Sequence, residues 1–466
     1  MRARYPPAMT LLQTVRHLAP YFESWLEFQR DHAGVPGVQV AVRVGTELAA
    51  SFALGQANAR TGEALTTRHL FRIASHSKSF TATAIFQLLE AGRLRLDDPA
   101  GRWLPELAGS PAAGYTVREL LGHQSGINRD GADSDYWQQL AAFPDRETLL
   151  DFCRAEAVYG PNEHFKYSNM GYGLLGLIVE AASGRSYPDY VAEHLTGPLG
   201  LENLGPELPA ERENELATGH SARLAARDER RPLPSSDTRA LAAATGFYGT
   251  AEDLTRFWAA HAYGEGTLLS DASKRLMGRE ETRLTKPSPR GYGLGLILTE
   301  VGGRTLVGHS GGFPGHITQS WLDPRTGLAV SVLSNALGAP STEWATNLVR
   351  LIDLAQRAPT KAQADAPGVA LDRFTGRYAG LWGLTDLVDL GGRLVSLYPS
   401  GDPEATLSEL TVLDDLTLAT SPEAGFGSVG EPFHFQRGEN GRVQSYRQGG
   451  GRAWPLADYR ALHGLD

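Results

Sequence analysis

The amino-acid sequence predicts an α+β fold: an antiparallel sheet flanked by helices, with an inserted helical domain, followed by a small C-terminal antiparallel β-barrel. Three observations lead to this prediction. Strand patterns lie at both ends of the first 355 residues, helical patterns fill most of residues 93–290, and short strand patterns recur over residues 372–466. Residues 356–371, rich in alanine and proline, predict a linker between a domain of residues 1–355 and the barrel.

The elements of the first domain follow from its hydrophobic spacing. Apolar residues at helical intervals over residues 10–32 predict an opening helix, which Gly34 and Pro36 end. Alternating valines in GVQVAVRVG, with ELAASFALG after a short turn, predict a β-hairpin. A helix is predicted from Ser75 to about Gly92. Strands return in RTLVGHS, HITQSWLDP and LAVSVLSN, and a helix around 343–356 closes the domain.

The barrel is predicted from short strand-like runs without a helix of useful length between them. A hairpin turn is expected at Glu439-Asn440-Gly441, because Asn-Gly readily adopts the left-handed backbone that tight hairpin turns need. The runs are GRYAGLW, LTDLVDL, RLVSLYP, LTVL, LTLAT, PFHFQR, RVQSYRQ and RAWPL.

The composition argues against several classes of function. A net charge of -9 without charge blocks argues against nucleic acid or an anionic membrane as partner. The single cysteine, Cys153, permits no internal disulfide and no thiolate metal cluster, so no metal or cofactor is expected. His17, Pro20 and Glu23 interrupt the apolar N-terminal stretch before it reaches signal-peptide length, and no run is long enough to span a bilayer. We expect a cytoplasmic protein.

One lysine stands out in the segment FRIASHSKSF. The chain has five lysines, Lys78 among them, and arginine supplies almost all the other positive charge. A lysine amine can lose its proton when it is desolvated, whereas a guanidinium cannot, so Lys78 is a candidate base. The alternative, a lysine at a helix start whose amine reaches solvent, is equally compatible with this segment alone.

Ser75 and Lys78 are three residues apart at the predicted start of a helix, so their side chains share one face. The lysine nitrogen can therefore reach the serine oxygen. A serine at a helix N-terminus also benefits from the helix dipole and offers its own backbone N–H to an oxyanion.

Two further stretches carry polar side chains suited to catalysis. In FKYSNMG, Tyr167 and Asn169 project to the same side of an extended loop, where a phenol can relay a proton and an amide can bind a carbonyl. In VGHSGGFPGH, residues 308–312 match the G-x-S-x-G pattern that holds the nucleophile of α/β-hydrolases. That pattern needs a helix directly after it. Here a second strand follows, so Ser310 is disfavoured as nucleophile.

Taken together, SHSK at 75–78, YSN at 167–169 and HSG at 309–311 resemble the three motifs of the serine β-lactamase, penicillin-binding protein, D-aminopeptidase and esterase superfamily, the β-lactamase-related serine hydrolases. TVRELLGHQSGI and YGLGL are also similar. Asn162 stands where these proteins usually have glycine, which asparagine can replace in a left-handed backbone. The resemblance covers residues 25–355 and implies a β-lactamase-like fold, while residues 372–466 resemble the lipocalin-like domains of some members.

The resemblance implies an acyl-enzyme on the serine of the first motif and a small-molecule or short-peptide substrate, with a homo-oligomer compatible with the sequence. Whether Lys78 or Tyr167 is the base stays open. His309 replaces the family's usual lysine, which removes a fixed charge for a substrate carboxylate and disfavours a β-lactamase. The alternatives left open are a D-peptide or amide hydrolase, a carboxylesterase, a weak β-lactamase and a catalytically silent scaffold. The implied residues are catalytic Ser75, Lys78 and Tyr167, substrate-binding Asn169, His309 and Gly311, and the oxyanion donors Ser75 and Gly312.

Overall fold

The structure is a computed structural model that describes residues 9–286, 290–364, 366, 368–420 and 430–465. The chain divides into two compact units: one spans Arg30–Thr346, and the other combines the chain up to Gln29 with the chain from Asn347 onward. The domain boundaries expected at residues 355 and 372 stay a prediction. Residues 1–8, 287–289, 365, 367, 421–429 and 466, which those predictions also cover, lie outside the described residues.

A nine-stranded antiparallel sheet forms the larger unit's framework, as the α+β prediction required. The first and the last strands of the unit lie side by side, with Val38–Val44 paired against Leu328–Ser334. Its strands are β1 Gly37–Val44, β2 Glu47–Asn58, β3 Glu63–Ala64, β9 Thr282–Leu284, β10 Arg290–Tyr292, β11 Ile297–Val301, β12 Arg304–Phe313, β13 His316–Asp323 and β14 Leu328–Ser334. They are arranged in the order β3-β2-β1-β14-β13-β12-β11-β10-β9.

Short strands and many helices lie between β3 and β9, where the sequence predicts helical segments. The short strands are β4 Phe71–Arg72, β5 Leu204–Gly205, β6 Gly219–His220, β7 Pro232–Leu233 and β8 Tyr248–Gly249. The helices of the whole described chain are α1 Leu11–Ala33, α2 Ser77–Glu90, α3 Ala100–Trp103, α4 Val117–Leu121, α5 Arg146–Arg154, α6 Asn169–Ser183, α7 Tyr187–Val191, α8 Gly197–Leu199, α9 Ala251–Ala259, α10 Asp271–Met277, α11 Ser341–Gln356, α12 Lys361–Ala364, α13 Pro403–Thr406 and α14 Leu456–His463.

The helices α2 and α6 lie in the hydrophobic core of the larger unit. Most of their residues are buried, and they contribute Phe80, Phe86 and Leu174 to one continuous apolar cluster. The Ser168 hydroxyl caps α6 by accepting from the Gly171 N–H at 2.9 Å, and Gly184 ends the helix at a φ of 76°. The core therefore holds the first turns of both helices rigidly.

The smaller unit contains a closed eight-stranded antiparallel barrel, as predicted, with aromatic side chains such as Phe374, Tyr378 and Phe435 packed in its core. The last predicted run, RAWPL, overlaps the strand Gly451–Pro455, and the helix α14 follows after this last strand. The barrel strands are β15 Gly376–Gly380, β16 Gly383–Asp389, β17 Leu394–Leu397, β18 Ser408–Asp414, β19 Thr417–Thr420, β20 Pro432–Arg437, β21 Val443–Gln448 and β22 Gly451–Pro455.

The part of α1 that belongs to the smaller unit is bonded to the barrel. The Tyr21 hydroxyl donates to Asp386 Oδ2 at 3.1 Å, and Arg377 donates to both oxygens of the same carboxylate at 2.7 and 2.8 Å. A two-pronged guanidinium contact of this kind fixes both position and angle. Across the described residues, we find no helix with the length and apolar character needed to cross a membrane.

Candidate active site

Ser75 lies in a tight turn rather than in an α-helix. Residues Ala74–His76 form a 3₁₀ turn, and α2 begins only at Ser77. In a 3₁₀ turn residues three apart eclipse each other, so Ser75 and Lys78 still face one another as the spacing predicted. Ala74 has a φ of 50°, a left-handed conformation that costs free energy for a residue with a Cβ. Ser75 is partly exposed, whereas its neighbours Ala74 and His76 are buried.

Lys78 is completely buried, and its amine is held by three neutral groups. Lys78 Nζ donates to Asn169 Oδ1 at 2.7 Å and to the Ala244 carbonyl oxygen at 2.8 Å, and it lies 3.3 Å from Ser75 Oγ. Burial lowers the pKa of Lys78 well below its ordinary value, against the opposing charge of Asp130. When neutral, the amine can keep its two donated bonds and turn its lone pair to Ser75 Oγ.

Asp130 is a part of this site that the sequence prediction missed. Asn169 Nδ2 donates to Asp130 Oδ1 at 2.6 Å, which fixes the amide so that its oxygen faces Lys78. The Trp137 indole N–H also donates to Asp130 Oδ1, at 3.0 Å, and Arg129 Nε lies 3.1 Å from Asp130 Oδ2. Asp130 belongs to no recognisable motif. Only its position in space reveals it.

Tyr167 borders both the serine and the lysine. Lys78 Nζ lies 4.7 Å from the centre of the Tyr167 ring, and the Arg129 guanidinium lies 5.5 Å from it. Burial raises the pKa of the Tyr167 phenol, while its hydrogen bond with the Ser75 side chain acts in the opposite direction. The phenol is therefore protonated near neutral pH and placed to exchange a proton with the serine.

The strand β12 passes directly beside the Ser75 turn. A methyl group at Gly311 would lie 2.1 Å from the Ile73 carbonyl oxygen and 2.4 Å from Thr318 Oγ1, so only glycine permits this approach. Ser310 lies inside β12, and β13 follows it after a turn. The strand-to-helix context of a nucleophile elbow is thus absent around Ser310, as expected from the sequence.

His309 is buried on β12 and uses both ring nitrogens. Because a carbonyl oxygen can only accept, His309 Nδ1 donates to the Ser310 carbonyl at 2.7 Å, which leaves Nε2 to accept from the Tyr292 hydroxyl at 3.3 Å. Burial lowers the pKa of His309 well below its ordinary value, and the charge of Lys78 acts in the same direction. His309 is therefore neutral and supplies no fixed positive charge.

A cleft of about 390 Å³ opens beside the C-terminal end of β12. Gly312, Phe313 and Pro314 form one side, and Trp137 connects the cleft to Asp130 through its indole N–H. The other lining residues are Gln138, Gln139, Ser221, Arg231, Leu233 and Leu337. The described lining includes no carboxylate. The cleft offers apolar surface together with amide, hydroxyl and guanidinium groups.

The structure thus brings Ser75, Lys78, Tyr167 and Asn169 into direct contact, and it places β12 against the turn that carries Ser75. The roles assigned to these residues, and to the Gly312 N–H as an oxyanion donor, stay predictions.

Comparison with known proteins relates this chain to one protein family and to several curated relatives. Residues 22–353 match the Beta-lactamase family. Penicillin-binding protein 4* of Bacillus subtilis is 28% identical over 452 residues, which covers 88% of this chain and 95% of the relative. Penicillin-binding protein 4 of Amycolatopsis lactamdurans is 32% identical over 336 residues, covering 68% and 84%. Esterase EstB of Burkholderia gladioli is 29% identical over 350 residues, covering 66% and 87%.

Solved structures show the same fold. The octameric penicillin-binding protein homologue from Pyrococcus abyssi superposes with a TM-score of 0.65 at 24% identity, covering 93% of this chain and 99% of that one. The D-amino acid amidase from Ochrobactrum anthropi SV3, complexed with L-phenylalanine, superposes with a TM-score of 0.61 at 26% identity, covering 72% and 99%.

Proposed function

The chain belongs to the Beta-lactamase family of serine hydrolases, and from this premise we propose that it hydrolyses amides or esters through an acyl-enzyme on Ser75. The observation that carries the proposal is the fully buried Lys78, whose Nζ faces Ser75 Oγ at 3.3 Å and donates to two neutral acceptors. A desolvated amine of this kind can take the serine proton, which makes the oxygen a nucleophile.

In the acylation step, the Ser75 proton passes to Lys78 directly or through Tyr167, and Ser75 Oγ attacks the substrate carbonyl carbon. The two groups titrate as a coupled unit, so the base is the pair. The backbone N–H groups of Ser75 and Gly312 stabilise the oxyanion. When the tetrahedral intermediate collapses, the bond from carbon to the leaving nitrogen or oxygen breaks, and Tyr167 returns the proton to the leaving group.

In the deacylation step, water attacks the ester carbonyl and Ser75 Oγ leaves with the proton that the water gives up. Tyr167 is placed to carry that proton, because its phenol interacts with the Ser75 side chain and its ring borders Lys78. His309 is the other titratable side chain beside the site that could assist this step. Its ring nitrogens are both engaged with Ser310 and Tyr292, which favours Tyr167.

The charges around the site favour neutral amides and esters over penicillin-like substrates. His309 is neutral where a lysine would bind a substrate carboxylate. Because Tyr167 is proposed to protonate the leaving group, we assign the cleft next to Gly312 to the acyl group. The described lining of this cleft has no carboxylate that could bind an ammonium group of the substrate. We therefore propose uncharged acyl groups, apolar or polar, in short peptides, amides or esters, with D-amino acids whose amine is acylated among the candidates.

A carboxylesterase is the second candidate. The name of the Burkholderia gladioli relative describes an esterase, and a neutral His309 suits an ester substrate as well as an amide. Intact-protein mass spectrometry after exposure to short-chain esters, D-aminoacyl amides and β-lactams separates the classes. The substrate that both acylates Ser75 and turns over identifies the class, and persistent acylation by a β-lactam alone would favour a penicillin-binding role.

Self-association stays a separate proposal. The Pyrococcus abyssi protein is described as octameric, but at 24% identity that likeness shows the fold alone. Size-exclusion chromatography with light scattering tests it, and a monomer at micromolar concentration would contradict it.

The nucleophile is tested with a fluorophosphonate probe, which reacts with activated serines. Ser75→Ala is expected to abolish labelling and turnover, whereas Ser310→Ala, the matched change on β12, is expected to keep the label. A label that maps to Ser310 would overturn the assignment, and an unlabelled native protein would favour a catalytically silent scaffold.

A further inference from the structure

His123 binds the Tyr167 segment at two points. Its backbone carbonyl accepts from the Lys166 N–H at 2.8 Å, and its ring Nδ1 accepts from the Ser168 N–H at 3.1 Å. Tyr167 lies between these two bonded residues. The imidazole and the Tyr167 ring are 4.2 Å apart between centroids, at an angle of 36°. One residue therefore contacts the phenol's side chain and the backbone on either side of it.

The hydrogen bond to Ser168 also determines the state of the imidazole. Because a backbone N–H can only donate, Nδ1 must be an acceptor, and a neutral ring then carries its hydrogen on Nε2. Burial lowers the pKa of His123 well below its ordinary value, with Lys78 acting in the same direction. Nε2 is buried and has no hydrogen-bond partner among the described residues. A buried polar atom without a hydrogen-bond partner costs free energy, so packing alone does not account for an imidazole at this position.

The backbone of His123 is unusual as well. Its φ is 58°, in the left-handed region that few residues other than glycine adopt, and its side chain is 1% exposed. This conformation lets both the carbonyl and Nδ1 face the Tyr167 segment. Two further backbone bonds extend the contact, from Asn162 N–H to the Gln124 carbonyl at 2.8 Å and from Val158 N–H to the Gly126 carbonyl at 2.9 Å. His123 thus combines a strained backbone, a buried side chain and an unpaired ring nitrogen, and such unfavourable features are typical of functional positions.

We propose that His123 is a positioning residue that fixes the Tyr167 phenol against Ser75. The inference rests on the proposed function, because it assigns Tyr167 a part in proton transfer. His123 itself touches no reacting atom. It acts through the Ser168 N–H, the Lys166 N–H and the face of the Tyr167 ring, and an error of about 1 Å in such a group can slow a reaction by about a hundredfold.

A double-mutant cycle tests the proposal, with the second-order rate of fluorophosphonate labelling of Ser75 as the readout. We expect Tyr167→Phe to slow labelling by about tenfold or more. His123→Ala is expected to slow it by about tenfold to a hundredfold. In the Tyr167→Phe background, His123→Ala should slow labelling by less than about twofold, because residues that act through one group are not additive.

His123→Asn is the rescue variant. Asparagine tolerates a left-handed backbone and can place its Oδ1 near the position of Nδ1, so it keeps the acceptor for the Ser168 N–H. We expect labelling within about threefold of the native rate. His261→Ala, which removes another buried histidine outside the site, is the control for a general loss of packing and should leave the labelling rate of the folded protein unchanged.

The outcomes separate the two proposals. If His123→Ala slows labelling by the same factor in both backgrounds, His123 is merely structural and the inference fails, while Tyr167 keeps its role. If Tyr167→Phe labels at the native rate, the role proposed for Tyr167 fails, and the inference with it. If the alanine variant does not fold, the cycle is repeated with His123→Gln, whose longer amide cannot place an acceptor where Nδ1 lies.

Discussion

At the scale of single residues, the chemistry depends on how Lys78 is surrounded. Its three contacts, to Ser75, Asn169 and the Ala244 carbonyl, are all to neutral groups, and the Asp130 carboxylate reaches it only through the Asn169 amide. Within the described part of the chain, a protonated Lys78 amine would therefore be buried without a direct counter-ion, which favours the neutral form. Arginine cannot reproduce this situation, because its guanidinium stays protonated.

Lys78→Arg therefore tests whether the removable proton matters. The variant keeps the charge but loses the base, so we expect a loss of labelling and turnover nearly as large as for Lys78→Ala, at least about a hundredfold in each case. Thermal unfolding of both variants serves as the control for folding. Substantial activity in the arginine variant would mean that positive charge alone suffices.

The pH dependence of labelling tests the charges around Lys78. Its reactive form is neutral, so activity should fall on the acid side as the amine becomes protonated. Asp130 raises the pKa of Lys78 and Arg129 lowers it. Asp130→Asn should therefore move the acid limb to lower pH, and Arg129→Gln should move it to higher pH. If both variants shift the acid limb equally in the same direction, or if neither shifts it, then the acid limb does not reflect protonation of Lys78.

At the scale of elements, the site depends on how closely β12 approaches the turn before α2. His76 links the Ser75 turn to the sheet. Its Nε2 accepts from the Ser320 hydroxyl of β13 at 3.1 Å, and its Nδ1 donates to the Ile73 carbonyl at 2.9 Å. Gly311 permits the contact because it lacks a Cβ. The distance between the two proposed oxyanion donors is thus set by how two elements pack.

Gly311→Ala should separate β12 from the Ser75 turn. The added methyl group meets backbone at 2.1 Å, which cannot move without shifting the turn, so we expect about a hundredfold slower labelling and a free energy of unfolding lower by about 1–3 kcal/mol. Urea unfolding and labelling kinetics measure the two effects. Gly266→Ala is the control, since a methyl group there meets nothing within 4 Å. A native labelling rate in Gly311→Ala would mean that the close approach is not required.

At the scale of the whole molecule, the larger unit buries several imidazoles in environments that disfavour their charged form. Burial lowers the pKa of His76 and of His261 to about 4 and that of His316 to about 3. Each ring is hydrogen-bonded or packed as a neutral group. An unfolded chain would protonate the same residues near pH 6.5, so the folded and unfolded states bind different numbers of protons in mildly acidic solution.

The free energy of unfolding should therefore fall as the pH is lowered. Between about pH 6.5 and 4 the unfolded state binds more protons than the folded state, so stability rises with pH, by up to about 1.4 kcal/mol per pH unit for each such histidine. Urea unfolding at several pH values measures the slope. His261→Gln should reduce it, because it removes one of the buried imidazoles. A flat profile from pH 7 to 5 would contradict this account.

Much of the fold and part of the site follow from local sequence. The spacing of Ser75 and Lys78, the caps of α6 and the valine alternation of β1 concern residues close in sequence, whose geometry the backbone largely fixes. Asn162 indeed has a left-handed φ, of 64°, where the resemblance implied a glycine position. The eight strand runs of the C-terminal region likewise predicted the closed barrel, although its lipocalin likeness stays a prediction.

Sequence alone determined the fold class, the family and a serine with a lysine three residues away, because these are properties of short stretches and of their order. Only the tertiary structure decided that Lys78 contacts no counter-ion among the described residues, that Asp130 fixes the Asn169 amide, and that His123 bonds to the backbone on both sides of Tyr167. These contacts join residues about 40 to 170 positions apart. Desolvation and hydrogen bonding between such distant segments arise only when the chain packs, and no local pattern encodes them.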